Sequence, residues 1–279
     1  MSDRIISLPK KGRLIVVTDI HGNKDDFDKY VDEIWDRDDP NCHIVFTGDL
    51  IHELEYSKDL SLDVLDEVDK LFNLPNFHVL LGNHEFCQIM HNEVYKWGTN
   101  QTEEFIHHIE DRYEWDEEIY LYQIMYEEFM KCFPYFLVTD NGFFISHAGI
   151  STTALNQLIN QEIDLFNIKA INAAVHTKEE EAQKEKDIEF IEEMIWSRPY
   201  DDYIEEDIDK FLEIAGCKFM IVGHTPQNGC HILGNQLIFD SSFCTTTKYY
   251  LDIDLSKEYK DIIEVLKSLK IMEEIDIDN

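Results

Sequence analysis

Five short polar clusters in this chain carry side chains able to hold metal ions: Asp19 with His21, Asp49, Asn83 with His84, His147, and His224. Nitrogen and oxygen donors without thiolate suit manganese, iron or zinc better than copper or an iron–sulfur cluster. Each cluster follows an apolar run of strand length, such as Leu14-Ile15-Val16-Val17, Ile44-Val45-Phe46 or Phe219-Met220-Ile221-Val222. A strand that stops there presents its polar residues at the C-terminal edge, where open α/β sheets bind ligands. Two ions about 3.5–4 Å apart need one carboxylate that reaches both. Asp49 is the natural bridge, with Asp19 and His21 completing one site and Asn83, His147 and His224 the other. His43 and His78 lie inside apolar runs and read as satisfied core histidines.

The elements that must position these residues follow from the hydrophobic pattern. Asn23 is placed to cap a helix whose apolar positions are Phe27, Tyr30, Val31, Ile34 and Trp35. A second helix is expected over roughly 57–72. With the strands at 13–18, 43–46 and 77–81, the first 85 residues read as three β-α repeats with right-handed crossovers. From about 86 to 132 the pattern is helical and crowded with aromatics, among them Tyr95, Trp97, Phe105, Tyr113, Trp115 and Tyr126. Most of those rings are expected to be core of a helical insert; the other use is a cap over a substrate pocket. A mixed charge run at 178–187 reads as a solvated helix face. Residues 236–239 and 249–254 read as closing antiparallel strands, followed by a helix near 257–269 and an acidic tail to 279. No linker or repeat interrupts this, so one domain is expected over 1–279, with the insert at about 86–132.

The formal charge of −34, from 58 acidic against 24 basic residues, repels nucleic-acid duplexes and anionic membranes. A site for an anionic substrate must reverse that field locally, which bound divalent cations do. Six scattered cysteines without a C-x-x-C pair read as reduced thiols, and no run reaches membrane-spanning length. A cytoplasmic location is the expectation.

The ordered motifs Asp19-Ile20-His21-Gly22, Gly48-Asp49, Gly82-Asn83-His84-Glu85, Ser146-His147-Ala148-Gly149 and Gly223-His224-Thr225-Pro226 resemble those of the calcineurin-like metallophosphoesterases. Within them the chain looks most like the bacterial and bacteriophage-lambda-type serine/threonine phosphoprotein phosphatases, to whose Trp-x-Arg segment Ile195-Trp196-Ser197-Arg198 is similar. Symmetrical dinucleoside tetraphosphate hydrolases share much of the plan. The resemblance covers roughly 13–254 and implies an α/β sandwich of two mixed sheets flanked by helices. It implies a centre of two divalent ions (manganese, or iron or zinc) bridged by Asp49 and a hydroxide that attacks phosphorus. It further implies that His84 protonates the leaving oxygen and that Arg198 binds phosphate.

The chain departs from that pattern after the bridging acid, where it reads Gly48-Asp49-Leu50-Ile51-His52-Glu53. His52 stands where the lambda-type enzymes have an acid that orients the catalytic histidine, and Glu53 where they have a phosphate-gripping arginine. Three readings follow. The first is an active phosphatase on a phosphoprotein or small phosphate ester. The second is a nucleotide, dinucleoside polyphosphate or phosphodiester hydrolase that uses the aromatic insert for stacking. The third is a weakly active, phosphate-sensing or scaffolding relative.

Overall fold

Residues of a strand alternate between its two faces, and in this protein both faces of the central strands are buried. In the computed structural model, which describes residues 4–53, 55–242 and 247–273, Leu14, Val16, Val45, Leu251 and Ile253 of one sheet pack against Leu137, Ile145, Ile221 and Leu237 of another. The alternate residues Ile15, Val17, Ile44 and Phe46 turn outward into a second core shared with helices. Burial on both sides is why the sequence shows unbroken apolar runs there and no polar alternation.

Among the described residues the strands are β1 (Ile5–Leu8), β2 (Arg13–Val17), β3 (Cys42–Phe46), β4 (Phe77–Val79), β5 (Tyr95–Lys96), β6 (Thr99–Asn100), β7 (Phe136–Thr139), β8 (Phe143–Ile145), β9 (Phe219–Val222), β10 (Cys230–Leu233), β11 (Gln236–Phe239), β12 (Lys248–Asp254) and β13 (Leu269–Glu273). One sheet has the order β13-β12-β2-β3-β4 and the other β1-β7-β8-β9-β11-β10, while β5 and β6 pair alone. Both large sheets are mixed. β2, β3 and β4 run parallel, as do β8 and β9. The C-terminal ends of these five strands are the places where the five polar clusters begin.

The α-helices among the described residues are α1 (Lys24–Asp28), α2 (Ser61–Leu71), α3 (Asn83–Met90), α4 (Gln101–Arg112), α5 (Asp116–Met130), α6 (Thr152–Ile159), α7 (Lys178–Trp196), α8 (Glu205–Ala215) and α9 (Ile262–Leu266). The Asn23 side chain caps α1 by accepting from the Asp26 N–H. After one turn the chain widens into a π-helix over Lys29–Ile34, which keeps Tyr30 and Val31 buried. The insert is largely helical as expected, and Phe105 and Tyr126 are core, but Tyr95, Trp97 and Trp115 are exposed, so the expectation that most of these rings are core is corrected. It also contains the hairpin β5–β6, which no periodicity announces because its strands are two residues long.

Three further expectations are corrected. The second helix spans Ser61–Leu71 and starts later than residue 57. The region 257–269 is not one helix: α9 covers only five residues, and Leu269–Glu273 adds an edge strand to β12. Long-range pairing there overrides a locally helical pattern. Strand β11 is antiparallel to β10 but parallel to β9, so it does not simply close the sheet. The acidic tail, apart from its first residues, lies outside the described residues. No helix among them is long and apolar enough to cross a membrane.

Candidate metal centre

The Asp49 carboxylate is the point on which the polar clusters converge. Its Oδ2 lies 3.4 Å from His147 Nε2, 3.6 Å from His21 Nε2 and 3.9 Å from His84 Nε2. Its Oδ1 accepts the His84 backbone N–H at 3.0 Å, at the start of α3, where the helix dipole favours an anion. Two groups of close donor atoms result, His21–Asp49–His84 and Asp49–His147–His224, with Asp49 common to both. Asn83 Oδ1 joins the second group, 2.8 Å from His147 Nε2 and 2.9 Å from His224 Nδ1. Asp19 Oδ2 stands 4.0 Å from His21 Nε2, and its carboxylate accepts the His224 backbone N–H. All six residues proposed from the sequence as ligands are thus brought together.

Backbone carbonyls decide which ring nitrogens face inward. A carbonyl only accepts, so the imidazole nitrogen beside it carries the proton and the other is left with a lone pair. His21 Nδ1 lies 3.0 Å from Ile51 O, His147 Nδ1 3.2 Å from Thr47 O, and His224 Nε2 3.1 Å from Trp196 O. The inward nitrogens are therefore bare, and they face the oxygens of Asp19, Asp49 and Asn83. Lone pairs aimed at lone pairs at 2.8–3.2 Å are favourable only around a cation, and carbonyl-oriented imidazoles are the usual support of metal ligands. Burial, the leading cause in each case, lowers the pKa of His21, His147 and His224, keeping them in the neutral ligand form. Burial, and then the neighbouring Asp19, raise Asp49 well above the usual carboxylate range. A metal ion offsets that cost. The donor set fits two divalent ions.

The loops that carry these groups are held in conformations that side chains rarely adopt. His21, Asp49, His52 and His224 all have positive φ, at 47°, 51°, 74° and 61°, and such positions cluster where function fixes the backbone. Gly48, at φ +108°, touches the α3 N-terminus so closely that a Cβ there would lie 2.4 Å from the Gly82 nitrogen. The buried Glu85 carboxylate ties the same loop down. It accepts N–H groups of Asp49 at 2.9 Å, Leu50 at 2.6 Å and Gly82 at 3.1 Å. Burial and then the Asp49 charge push Glu85 up to about 7, against the pull of the N–H groups it accepts.

His84 is buried, and its Nδ1 lies 2.8 Å from His52 Nδ1. One nitrogen of that pair must donate and the other accept. Arg198 is exposed and lines the same cleft of about 250 Å³, with its Nε 3.4 Å from His224 Nε2. Glu53 is half-buried. Sequence reasoning gave no role to two further residues, Glu85 and Lys96. Lys96, on β5, brings its Nζ to 3.3 Å from His21 Nε2. Burial lowers this ammonium, and Asp49, Asp19 and Glu53 pull it back up.

A two-sheet sandwich that gathers such donors at the ends of its parallel strands has the plan of a metal-dependent phosphoesterase. Residues 12–228 match the family model of the calcineurin-like phosphoesterases. The chain belongs to this family and is a hydrolase. No curated protein matches it in sequence. Among solved structures, a serine/threonine phosphatase of Saccharomyces cerevisiae aligns over 99% of this chain and 85% of its own, with 15% identity and TM-score 0.60. A cold-active protein-tyrosine phosphatase of a psychrophilic Shewanella aligns over 98% and 85%, with 17% identity and TM-score 0.63. At such identities the likeness is one of fold.

Proposed function

We propose that this protein is a metal-dependent phosphatase that hydrolyses a phosphate monoester on a protein or a small molecule. The observation that carries the reading is the position of Asp49 Oδ2 between two groups of inward-facing donors, 3.4 Å from His147 and 3.6 Å from His21. Asp19, His21 and Asp49 would hold one divalent ion, and Asp49, Asn83, His147 and His224 the other. Such a pair supplies an activated water and positive charge for the phosphoryl oxygens. Manganese, iron and zinc all accept this donor set.

His84 serves as the proton donor to the leaving oxygen, a role worth roughly 10²–10⁴ in rate for a positioned acid. Its Nε2 faces the centre, and a proton there requires Nδ1 to accept from His52. Arg198 orients a phosphate oxygen from the His224 side. Five cysteines are free thiols among the described residues, which accords with a cytoplasmic location; Cys244 lies outside them. A nucleotide or dinucleoside polyphosphate is the second substrate class. It is favoured by Tyr95 and Trp97, which are 60% and 91% exposed at and beside the cleft. The retained His84 favours an enzyme over a scaffold.

The test is hydrolysis of p-nitrophenyl phosphate, its bis-ester and a dinucleoside polyphosphate by chelator-treated protein before and after adding manganese. Manganese-restored turnover, fastest on the monoester, is expected. Turnover that survives chelation removes the metal-dependent reading.

A further inference from the structure

The cleft over the metal centre has a lysine and an arginine in its lining, and they approach it from opposite sides. Arg198 reaches His224 on one flank, and Lys96 reaches His21 on the other. Lys96 Nζ lies 3.3 Å from His21 Nε2 and 3.4 Å from His21 Nδ1. Near-equal distances to two ring nitrogens whose lone-pair directions diverge put the ammonium off both axes. It therefore stands beside the position a ligand nitrogen would offer an ion, without occupying it.

The segment that delivers Lys96 is built for that placement. Tyr95 pairs with Asn100 and Lys96 with Thr99 across a two-residue turn, Trp97-Gly98, in which both φ values are positive. That is the turn geometry that matches hairpin twist. The base of the hairpin is stapled by Gln101 N–H to Val94 O at 2.8 Å, and by the Thr102 hydroxyl to Asn92 O at 2.8 Å. On a chain of formal charge −34, a lysine fixed inside a cleft lined by Asp19, Asp49 and Glu93 is placed where an anion must be drawn in.

Resting on the phosphatase reading above, we propose that Lys96 is a phosphate-binding residue of the active site. It donates to a non-bridging oxygen of a dianionic monoester on the His21 side while Arg198 holds another on the His224 side. A charge-assisted contact of this kind discriminates by substrate charge, so it favours monoesters over diesters.

The experiment uses full-length, manganese-loaded protein and the variants Lys96→Met and Lys96→Arg. Metal content, orthophosphate affinity by calorimetry, and kcat and KM on p-nitrophenyl phosphate and its bis-ester are measured for each. Lys96→Met is expected to weaken orthophosphate binding and raise monoester KM about tenfold or more, the size of one lost charge-assisted hydrogen bond. Diester KM should change less than about threefold because the diester carries half the charge. Metal content should stay unchanged, and Lys96→Arg should recover most of the affinity. Unchanged orthophosphate affinity overturns the assignment, as do equal losses on both esters, or a loss of affinity that merely tracks a loss of metal. Wild-type protein that turns over neither ester removes the phosphatase reading, and the orthophosphate titration then decides Lys96 alone. Wild-type protein that binds no orthophosphate overturns the assignment of Lys96, while ester turnover alone decides the phosphatase reading.

Discussion

His52 Nδ1 and His84 Nδ1 are 2.8 Å apart in a buried contact. Two neutral imidazoles share one proton there, and its position sets the character of His84. With the proton on His52, His84 carries its own on Nε2 and can donate it. With the proton on His84 Nδ1, Nε2 is a bare nitrogen 3.9 Å from Asp49 Oδ2 and is available to a metal. Burial, reinforced by His21 and Lys96, lowers His84 well below its ordinary value, and burial lowers His52 to about 3, so neither ring is charged near neutrality.

His84→Ala should therefore lower turnover at least about tenfold on esters with poor leaving groups and least on p-nitrophenyl phosphate. His52→Asp places an acceptor against His84 Nδ1 and stabilises the protonated ring. It should raise turnover on poor leaving groups and leave activated esters unchanged. A leaving-group series with each variant measures this, and parallel losses on every ester would falsify the proton-donor role.

Asp49→Asn keeps the shape of the bridging side chain and removes its charge. Because Oδ2 serves both donor groups, bound manganese should fall from two ions to one or none after dialysis. Turnover should drop by about 10³ or more, equivalent to several kcal/mol of lost charge stabilisation. Elemental analysis decides: two ions retained would mean that the centre does not depend on this carboxylate.

Glu85→Gln replaces the accepting carboxylate with an amide whose hydrogens can face the N–H groups of Asp49, Leu50 and Gly82. The unsatisfied donors should cost about 1–3 kcal/mol in urea unfolding and loosen the Asp49 loop. Metal affinity should weaken in the same variant. A wild-type unfolding curve would show that the cradle contributes nothing.

His78 is packed against His43, with its Nε2 3.1 Å from His43 Nδ1, and burial lowers it to about 3. Between that value and an unfolded value near 6.5, the unfolded chain binds more protons than the native one. The neutral ring thus contributes full stability above about pH 6.5, and stability declines as pH falls below it. His78→Leu should flatten the slope of unfolding free energy between about pH 4 and 6.5, read from denaturant midpoints at each pH. An unaltered slope would assign the acid sensitivity to other groups.

The site was legible in the sequence because its geometry is a property of parallel strands. An apolar run of three to five residues followed within two or three positions by Asp19, Asp49, Asn83, His147 or His224 shows both the strand and its ligand-bearing end. Glu85 stands within one of the motifs, yet its partners Asp49 and Leu50 lie some 35 residues upstream in a loop of unusual φ, and no local pattern encodes that. Lys96 was hidden for another reason. A hairpin with two-residue strands has no period to detect, and its neighbours Tyr95 and Trp97 read as core aromatics. The mistaken helix near 257–269 reflects apolar positions at 262, 265 and 266 that do form a turn of helix, before pairing with β12 takes the chain over as β13.

The hairpin tip has an optical consequence. Trp97 is 91% exposed beside Lys96, whereas Trp35 is buried with its indole N–H on Cys42 O. Trp115 is 69% exposed and Trp196 lines the cleft, so with both replaced by Phe a docked substrate that shields the tip would shift Trp97 emission to shorter wavelength over a constant signal from Trp35. In that background Trp97 is a built-in fluorescent reporter of occupancy, and a wavelength shift that scales with ester concentration would follow binding without any label.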